Sequence, residues 1–301
     1  MGFVVQFFMW LFSRFPLRVH YAIGRIVSWW LESVVHYRSQ TITINIARSF
    51  PELQYGEIKE LVHKFYIHFG EVVAEGVWFG GCLKPERLRR QHLVEIENPE
   101  ELYRLYDNSP SVMALMTHSG NWELIGGICN YDYSGEFMIE QNRVVVVYLR
   151  QSTESWNRFM KANRTAPLID RKNYPGYLES AEIMRFVLEH KNEKLMYNFI
   201  TDQYPYSASR GNIHMNFMHQ DCLSMKGAAE LARKLHMSVC YVGMPQVRRG
   251  QYKLRYDTIC EDASTMSAED IMKEYYKRLE ADLKAQPWNY LWSHRRWKRN
   301  N

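Results

Sequence analysis

The chain lacks the signatures of several large function classes. It has no Walker A loop, no G-x-G-x-x-G fingerprint and no G-x-S-x-G elbow, so nucleotide, dinucleotide and serine-hydrolase readings lose support. Cysteine is scarce. Cys82, Cys129, Cys222, Cys240 and Cys260 form an odd set with no C-x-x-C pair, which reads as reduced structural thiols on the cytoplasmic side rather than a disulfide framework. Zinc-ligand spacing is missing as well, and neither a metal nor a cofactor is implied. No internal repeat, low-complexity linker or Pro/Gly-rich hinge divides the chain. Residues 3–12 are apolar-rich but give way to Ser13-Arg14-Phe15-Pro16, short of the roughly 20 residues that cross a bilayer. Without a basic stretch before the run or a small-residue cleavage site after it, a signal peptide is not expected.

What is abundant is aromatic. Nine Trp, twenty Tyr and fourteen Phe suit a lipid interface, and equally a large core or ligand pocket. The 301 residues, 46% hydrophobic, can bury a full core in one domain with an added helical part. Residues 21–35 carry Ile23, Ile26, Val27, Trp29, Trp30, Leu31 and Val34 around Arg25 and Glu32. Together with residues 3–12 they read as two short helices that dip into or lie along a membrane. Up to residue 38 the charges are Arg14, Arg18, Arg25 and Arg38 against Glu32 alone, a basic aromatic face that anionic lipid attracts. Arg295, Arg296, Lys298 and Arg299 beside Trp292 and Trp297 repeat the theme and hold most of the formal +5 charge. A membrane surface or an acidic carrier protein is the expected partner. Nucleic acid is not, because no nucleic-acid fold signature accompanies the basic residues.

Periodicity predicts helices first and alternation afterwards. Residues 39–76 place Ile42, Ile46, Phe50, Ile58, Leu61, Val62, Phe65 and Phe69 at helical spacing, broken at Phe50-Pro51. Residues 85–107 are charged and partly helical. Strand-like runs follow at 111–116, 144–149, 194–200, 238–243 and 251–259, with helical candidates at 152–163, 178–190, 226–235 and 268–285. Residues 213–218 alternate like a short strand or pocket wall. The expected fold is α/β, a central and mostly parallel sheet flanked by helices, with an antiparallel edge at 251–259. The expected division is an N-terminal membrane-associating helical segment, 1–38, and a catalytic domain, 39–301.

The run Thr117-His118-Ser119-Gly120-Asn121-Trp122-Glu123 follows directly on the apolar residues 111–116. It places His118 at a strand's C-terminal edge, where open α/β sheets keep their chemistry. A neutral imidazole there can take a proton from a hydroxyl, and a carboxylate on its other nitrogen fixes the tautomer. On one helix, residues five apart diverge by about 140°, so a turn at Gly120 and Asn121 is needed to bring His118 and Glu123 together. Asn121 then caps a helix starting near Trp122, whose first-turn N–H groups can bind an oxyanion or phosphate. The alternative is a hydrogen-bonded buried histidine beside an ordinary first-turn acid. Asp202 and Gln203 follow the strand-like run 194–200 and face the same crevice, unless they only cap local backbone.

The form His-Ser-Gly-Asn-Trp-Glu resembles the lysophospholipid acyltransferase superfamily, and its bacterial lipid A late (lauroyl/myristoyl-type) acyltransferase branch in particular. Further blocks agree in order: Tyr37-Arg38 with Asn45 and Ser49-Phe50-Pro51-Glu52; Phe65-Tyr66 with His68-Phe69; Asp170-Arg171-Lys172; Thr201-Asp202-Gln203; and Tyr290-Leu291-Trp292 with His294-Arg295-Arg296-Trp297-Lys298. The resemblance runs from about residue 15 to the end. It implies a membrane-associated O-acyltransferase that moves a fatty acyl group from an acyl carrier protein or coenzyme A thioester to a hydroxyl of a lipid A precursor, at the cytoplasmic face of the bacterial inner membrane.

By that resemblance His118 is the general base and Glu123 orients it, while Asp202 and an arginine also matter. Arg164 is the choice for that arginine and Arg158 its competitor. Gly120, Asn121, Gln203 and Arg158 are the expected substrate contacts. An apolar tunnel that measures the acyl chain is expected near Met215, Met218 and Met225. Ser119 and the Tyr204-Pro205-Tyr206-Ser207 segment depart from the branch and put the acceptor in question more than the chemistry. A lysophospholipid or an amino-acid-containing lipid is the nearest alternative acceptor. A thioester hydrolase and a catalytically silent lipid-binding scaffold are the rivals of a different class.

Overall fold

In the computed structural model the described residues are 7–8, 11–133, 139–168, 174–205 and 212–298. Helices α1 (Leu17–Ser33), α2 (Ser39–Ser49), α3 (Tyr55–Gly80) and α4 (Pro85–Gln91) precede a short strand, β1 (Val94–Ile96), and α5 (Pro99–Asn108). Strands β2 (Val112–Met116) and β3 (Val144–Tyr148) lead to α6 (Glu154–Arg164), β4 (Tyr177–Glu179), α7 (Ile183–Glu189) and β5 (Met196–Ile200). A hairpin of β6 (Ile213–Phe217) and β7 (Gln220–Ser224) stands apart from the main sheet. The chain continues through α8 (Gly227–Lys234), β8 (Ser238–Gly243), β9 (Gln246–Arg248) and β10 (Gln251–Cys260), and α9 (Ala268–Ala285) follows.

The sheet order is β1-β10-β8-β2-β5-β3-β4, with β9 also paired to β10. Pairing is parallel except where β10 meets β8 and β9. The antiparallel strand lies where it was expected, but it is not the edge. β1 adds outside it in parallel register, Val94 opposite Tyr252. Three residues inside a charged stretch carry too little alternation to announce a strand. The expected helix at 178–190 is likewise shortened at its start by β4.

β2 is central because it is apolar on both faces. Met113 and Leu115 join a core with Ile42, Phe65, Ala229 and Tyr275 from α2, α3, α8 and α9. Val112, Ala114 and Met116 join a second core with Leu88, Leu102 and Leu124 on the other face. A parallel strand covered on both faces has no use for polar alternation.

α1 lies against α3 through small residues. A Cβ at Gly24 would stand 2.7 Å from the Gly70 carbonyl oxygen, and one at Gly70 would stand 2.0 Å from Ser28 Oγ. Among the described residues, no helix is long and apolar enough to cross a membrane. Among the described residues, eleven of the twenty exposed large hydrophobics nonetheless fall between Phe7 and Val35, a concentration of the kind found at interaction surfaces.

Of the basic residues expected at the C-terminal end, Arg295 and Lys298 are exposed, but Arg296 is not. Arg296 is buried, donating to the Leu223 carbonyl at 2.7 Å and to the Tyr276 hydroxyl at 2.8 Å. Trp292 and Trp297 stack at 6.0 Å, and the Asn45 amide donates to the carbonyls of Trp292 and His294. Two motif blocks from opposite ends of the chain therefore meet as one structural lock. Met218 is likewise buried in the core and Met215 packs against it. Arg299 and the block Asp170-Arg171-Lys172 lie outside the described residues.

Candidate active site

Strand register assembles the central pair. Met116 of β2 lies beside Ile200 of β5, so His118 and Asp202, each two residues further on, leave the sheet side by side. His118 Nδ1 stands 2.7 Å from Asp202 Oδ1, and the His118 backbone N–H donates to Asp202 Oδ2 at 3.1 Å. Asp202 is 1% exposed. Burial opposes its charge, yet the imidazole and backbone donors outweigh burial and hold the carboxyl below its ordinary value. On the other side, the Gln203 amide nitrogen stands 2.9 Å from His118 Nε2. An amide donating there leaves Nε2 unprotonated and Nδ1–H directed at Asp202, the tautomer a base requires.

The carboxylate on the imidazole is therefore Asp202, whereas the motif spacing pointed to Glu123. Glu123 makes a two-pronged pair with Arg164, Nε to Oε2 and Nη2 to Oε1, both at 2.5 Å. The guanidinium fork suits two carboxylate oxygens better than an imidazole does. Arg164 Nη1 also donates to the Tyr177 hydroxyl at 3.3 Å, a phenol that burial pushes up to about 12. Glu123 reaches His118 only through Trp122, whose indole N–H donates to Oε1 at 3.1 Å and whose ring stands edge-on to the imidazole at 5.3 Å. Arg158, the competing arginine, is 74% exposed with Glu154 as its ion partner at 3.6 Å. It is not brought to the site.

The turn between the strand and Trp122 is held from three directions. Gly120 has φ +62, and a Cβ there would stand 2.6 Å from the Met244 carbonyl oxygen, so this position needs glycine for both conformation and space. Its N–H donates to Asn289 Oδ1 at 2.7 Å, and the Leu291 N–H donates to the His118 carbonyl at 3.1 Å. Asn121 is fully buried and does not cap. Its amide donates to Glu75 Oε2 at 2.8 Å and to the Val72 carbonyl of α3. The segment it precedes, Trp122–Asn130, is a 3-10 helix rather than an α-helix.

Four contributors were not singled out from sequence: Trp122 as the bridge, Tyr177, Asn289 and Glu75. Asn289 adjoins the Tyr290-Leu291-Trp292 block, a usable signal. The others become visible only when α3, α6 and β4 are folded onto the turn. Among the described residues no group of three or more His, Cys, Asp or Glu could hold a metal ion.

The arrangement can take a proton at Nε2 and stabilise the resulting imidazolium through Asp202, with a neutralised Glu123–Arg164 pair beside it. Comparison with curated protein sequences returns no match. The family model described as bacterial lipid A biosynthesis acyltransferase matches residues 1–299, a span that contains the pair, the turn and the C-terminal lock that pins them. The chain belongs to the bacterial lipid A biosynthesis acyltransferase family and is an acyltransferase.

Proposed function

We propose that this acyltransferase moves a fatty acyl group from a carrier-protein thioester to a hydroxyl of a lipid A precursor, at the cytoplasmic face of the bacterial inner membrane. The carrying observation is His118 held between Asp202 and Gln203 at the C-terminal edge of two adjacent parallel strands. The acceptor hydroxyl replaces the Gln203 amide at Nε2 and gives up its proton there. Its oxygen attacks the thioester carbonyl, and the C–S bond breaks as the tetrahedral intermediate collapses. The proton on Nε2 passes to the departing sulfur, leaving an ester and a thiol. No covalent acyl-enzyme is required. Asp202 stabilises the transient imidazolium, and Glu123 positions the ring through Trp122 while Arg164 balances its charge.

The test offers membranes containing the protein a radiolabelled acyl-carrier thioester, with a tetra-acylated lipid A precursor or, separately, a lysophospholipid. Label on the precursor that disappears with His118→Ala is the expected result. Label only on the lysophospholipid, or only released to water, would sink the substrate assignment and leave the family membership standing.

A further inference from the structure

A concave site with none of the residues around His118 in its lining lies where α1, α3 and the turn between β9 and β10 meet. It is a cavity of about 420 Å³ whose lining includes Arg18, Tyr21, Arg25, Glu71 and Arg249. Arg18 and Arg25 are two helical turns apart on α1, roughly 10 Å along the axis. Among the described residues, none of the three guanidinium groups has a hydrogen-bonding or ion-pair partner. Arg249 instead lies over the Tyr21 ring, 5.0 Å from its centroid. Glu71 is the single carboxylate in the lining; burial raises its pKa against the Gln246 hydrogen bond and the charges of Arg249 and Arg25.

The cavity is built rather than incidental. Gly250 has φ +73, and a Cβ there would stand 2.3 Å from the Tyr21 hydroxyl oxygen, so the turn carrying Arg249 closes directly onto α1. Tyr21 is fixed from below by donating to Glu75 Oε1 at 2.7 Å. Beside the arginines, on the surface α1 turns to solvent, stand Ile23, Ile26, Trp29 and Trp30, with Ile26 65% and Trp29 59% exposed. Three forked cations next to an apolar aromatic stripe match a phosphate that sits at the level of a bilayer surface.

We propose that this cleft binds the phosphate headgroup of an anionic membrane lipid. Arg18, Arg25 and Arg249 grip the phosphate oxygens while Ile26, Trp29 and Trp30 rest among the acyl chains. The proposal rests on the membrane-associated reading above and adds a specific ligand site to it. The adjacent apolar stripe favours a lipid over a free phosphate ester.

The test measures binding of the full chain to phosphatidylcholine vesicles, alone, with phosphatidic acid, or with oleate at matched surface charge. Wild type is expected to bind the phosphatidic acid vesicles roughly a hundredfold more tightly than neutral ones. It should also bind them roughly tenfold more tightly than oleate vesicles, the increment of a charge-assisted hydrogen bond or two. Combined Arg18→Gln, Arg25→Gln and Arg249→Gln should abolish the preference over oleate and keep the binding to neutral vesicles. Arg249→Gln alone should lower that preference if the triple variant is poorly folded. Equal binding of wild type to phosphatidic acid and oleate vesicles would reduce the site to diffuse charge and overturn the proposal, leaving the membrane reading intact. Failure of wild type to bind any vesicle would overturn both. Thermal stabilisation by glycerol phosphate as large as that by phosphatidic acid vesicles would overturn the lipid as ligand.

Discussion

Asp202 meets His118 Nδ1 while Glu123 is held by Arg164, so the chemistry of the two carboxylates is separable. Asp202→Asn keeps the shape but presents an amide to Nδ1, and kcat should fall on the order of 10²–10⁴-fold with little change in the KM for the thioester. Glu123→Gln leaves Arg164 largely buried without its counter-charge. It should cost about 3–5 kcal/mol in stability by denaturant unfolding, with a smaller kcat loss in the fraction that remains folded. Equal kcat losses from the two variants would place both carboxylates on the imidazole. Glu75 supplies a pH signature of its own. Complete burial pushes its carboxyl up to about 7 from an ordinary value of 4.5, against the donors Asn121 and Tyr21. The folded state therefore holds this proton more tightly than the unfolded chain. That contribution is present below the unfolded value and is lost as pH rises from about 4.5 through about 7. Glu75→Gln should flatten the dependence of the urea midpoint on pH across that window. His118, Asp202 and Gln203 were legible from sequence because each follows an apolar run that ends at a turn. Which carboxylate meets His118 was not, since the answer depends on register between strands whose reacting residues stand 84 apart.

The α1–α3 contact depends on residues that have almost no side chain. Gly70→Leu would drive a branched side chain into Ser28 and the Gly24 carbonyl, and overpacking of this kind costs about 1–3 kcal/mol. The expected outcome is faster tryptic cleavage at Arg18 and Arg25 as α1 lifts from α3, while the catalytic sheet keeps its circular dichroism. Unchanged cleavage would show that α1 is held by other contacts. Long helices such as α3 and α9 were readable from their periodicity, and β2 from its unbroken apolar run. β1, β4 and β9 were not, because each has three residues and is completed by its partner's hydrogen bonds rather than by its own pattern. The 3-10 form of the helix after Asn121 was equally hidden, because the Asn121 side chain is held by Nδ2 donating to Glu75 and Val72 and its Oδ1 accepts no capping hydrogen bond from the first turn.

For the whole molecule, the membrane-associated reading proposed above, with the apolar residues exposed between Phe7 and Val35 as the contact, predicts a protein that rests on a bilayer. Alkaline carbonate should release it from isolated membranes, whereas retention in the pellet would require a segment that spans. Hydrophobic runs, their periods and the turn glycine are properties of a dozen residues at a time. They alone specified an α/β chain with His118 and Asp202 at strand ends and a basic, aromatic N-terminal helix. The order of strands, the burial of Arg296, the pairing of Glu123 with Arg164 and the arginine-lined cleft all join segments far apart in the chain. They follow from how two cores close around one sheet, a choice that depends on which surfaces can be packed together without voids or unpaired charge.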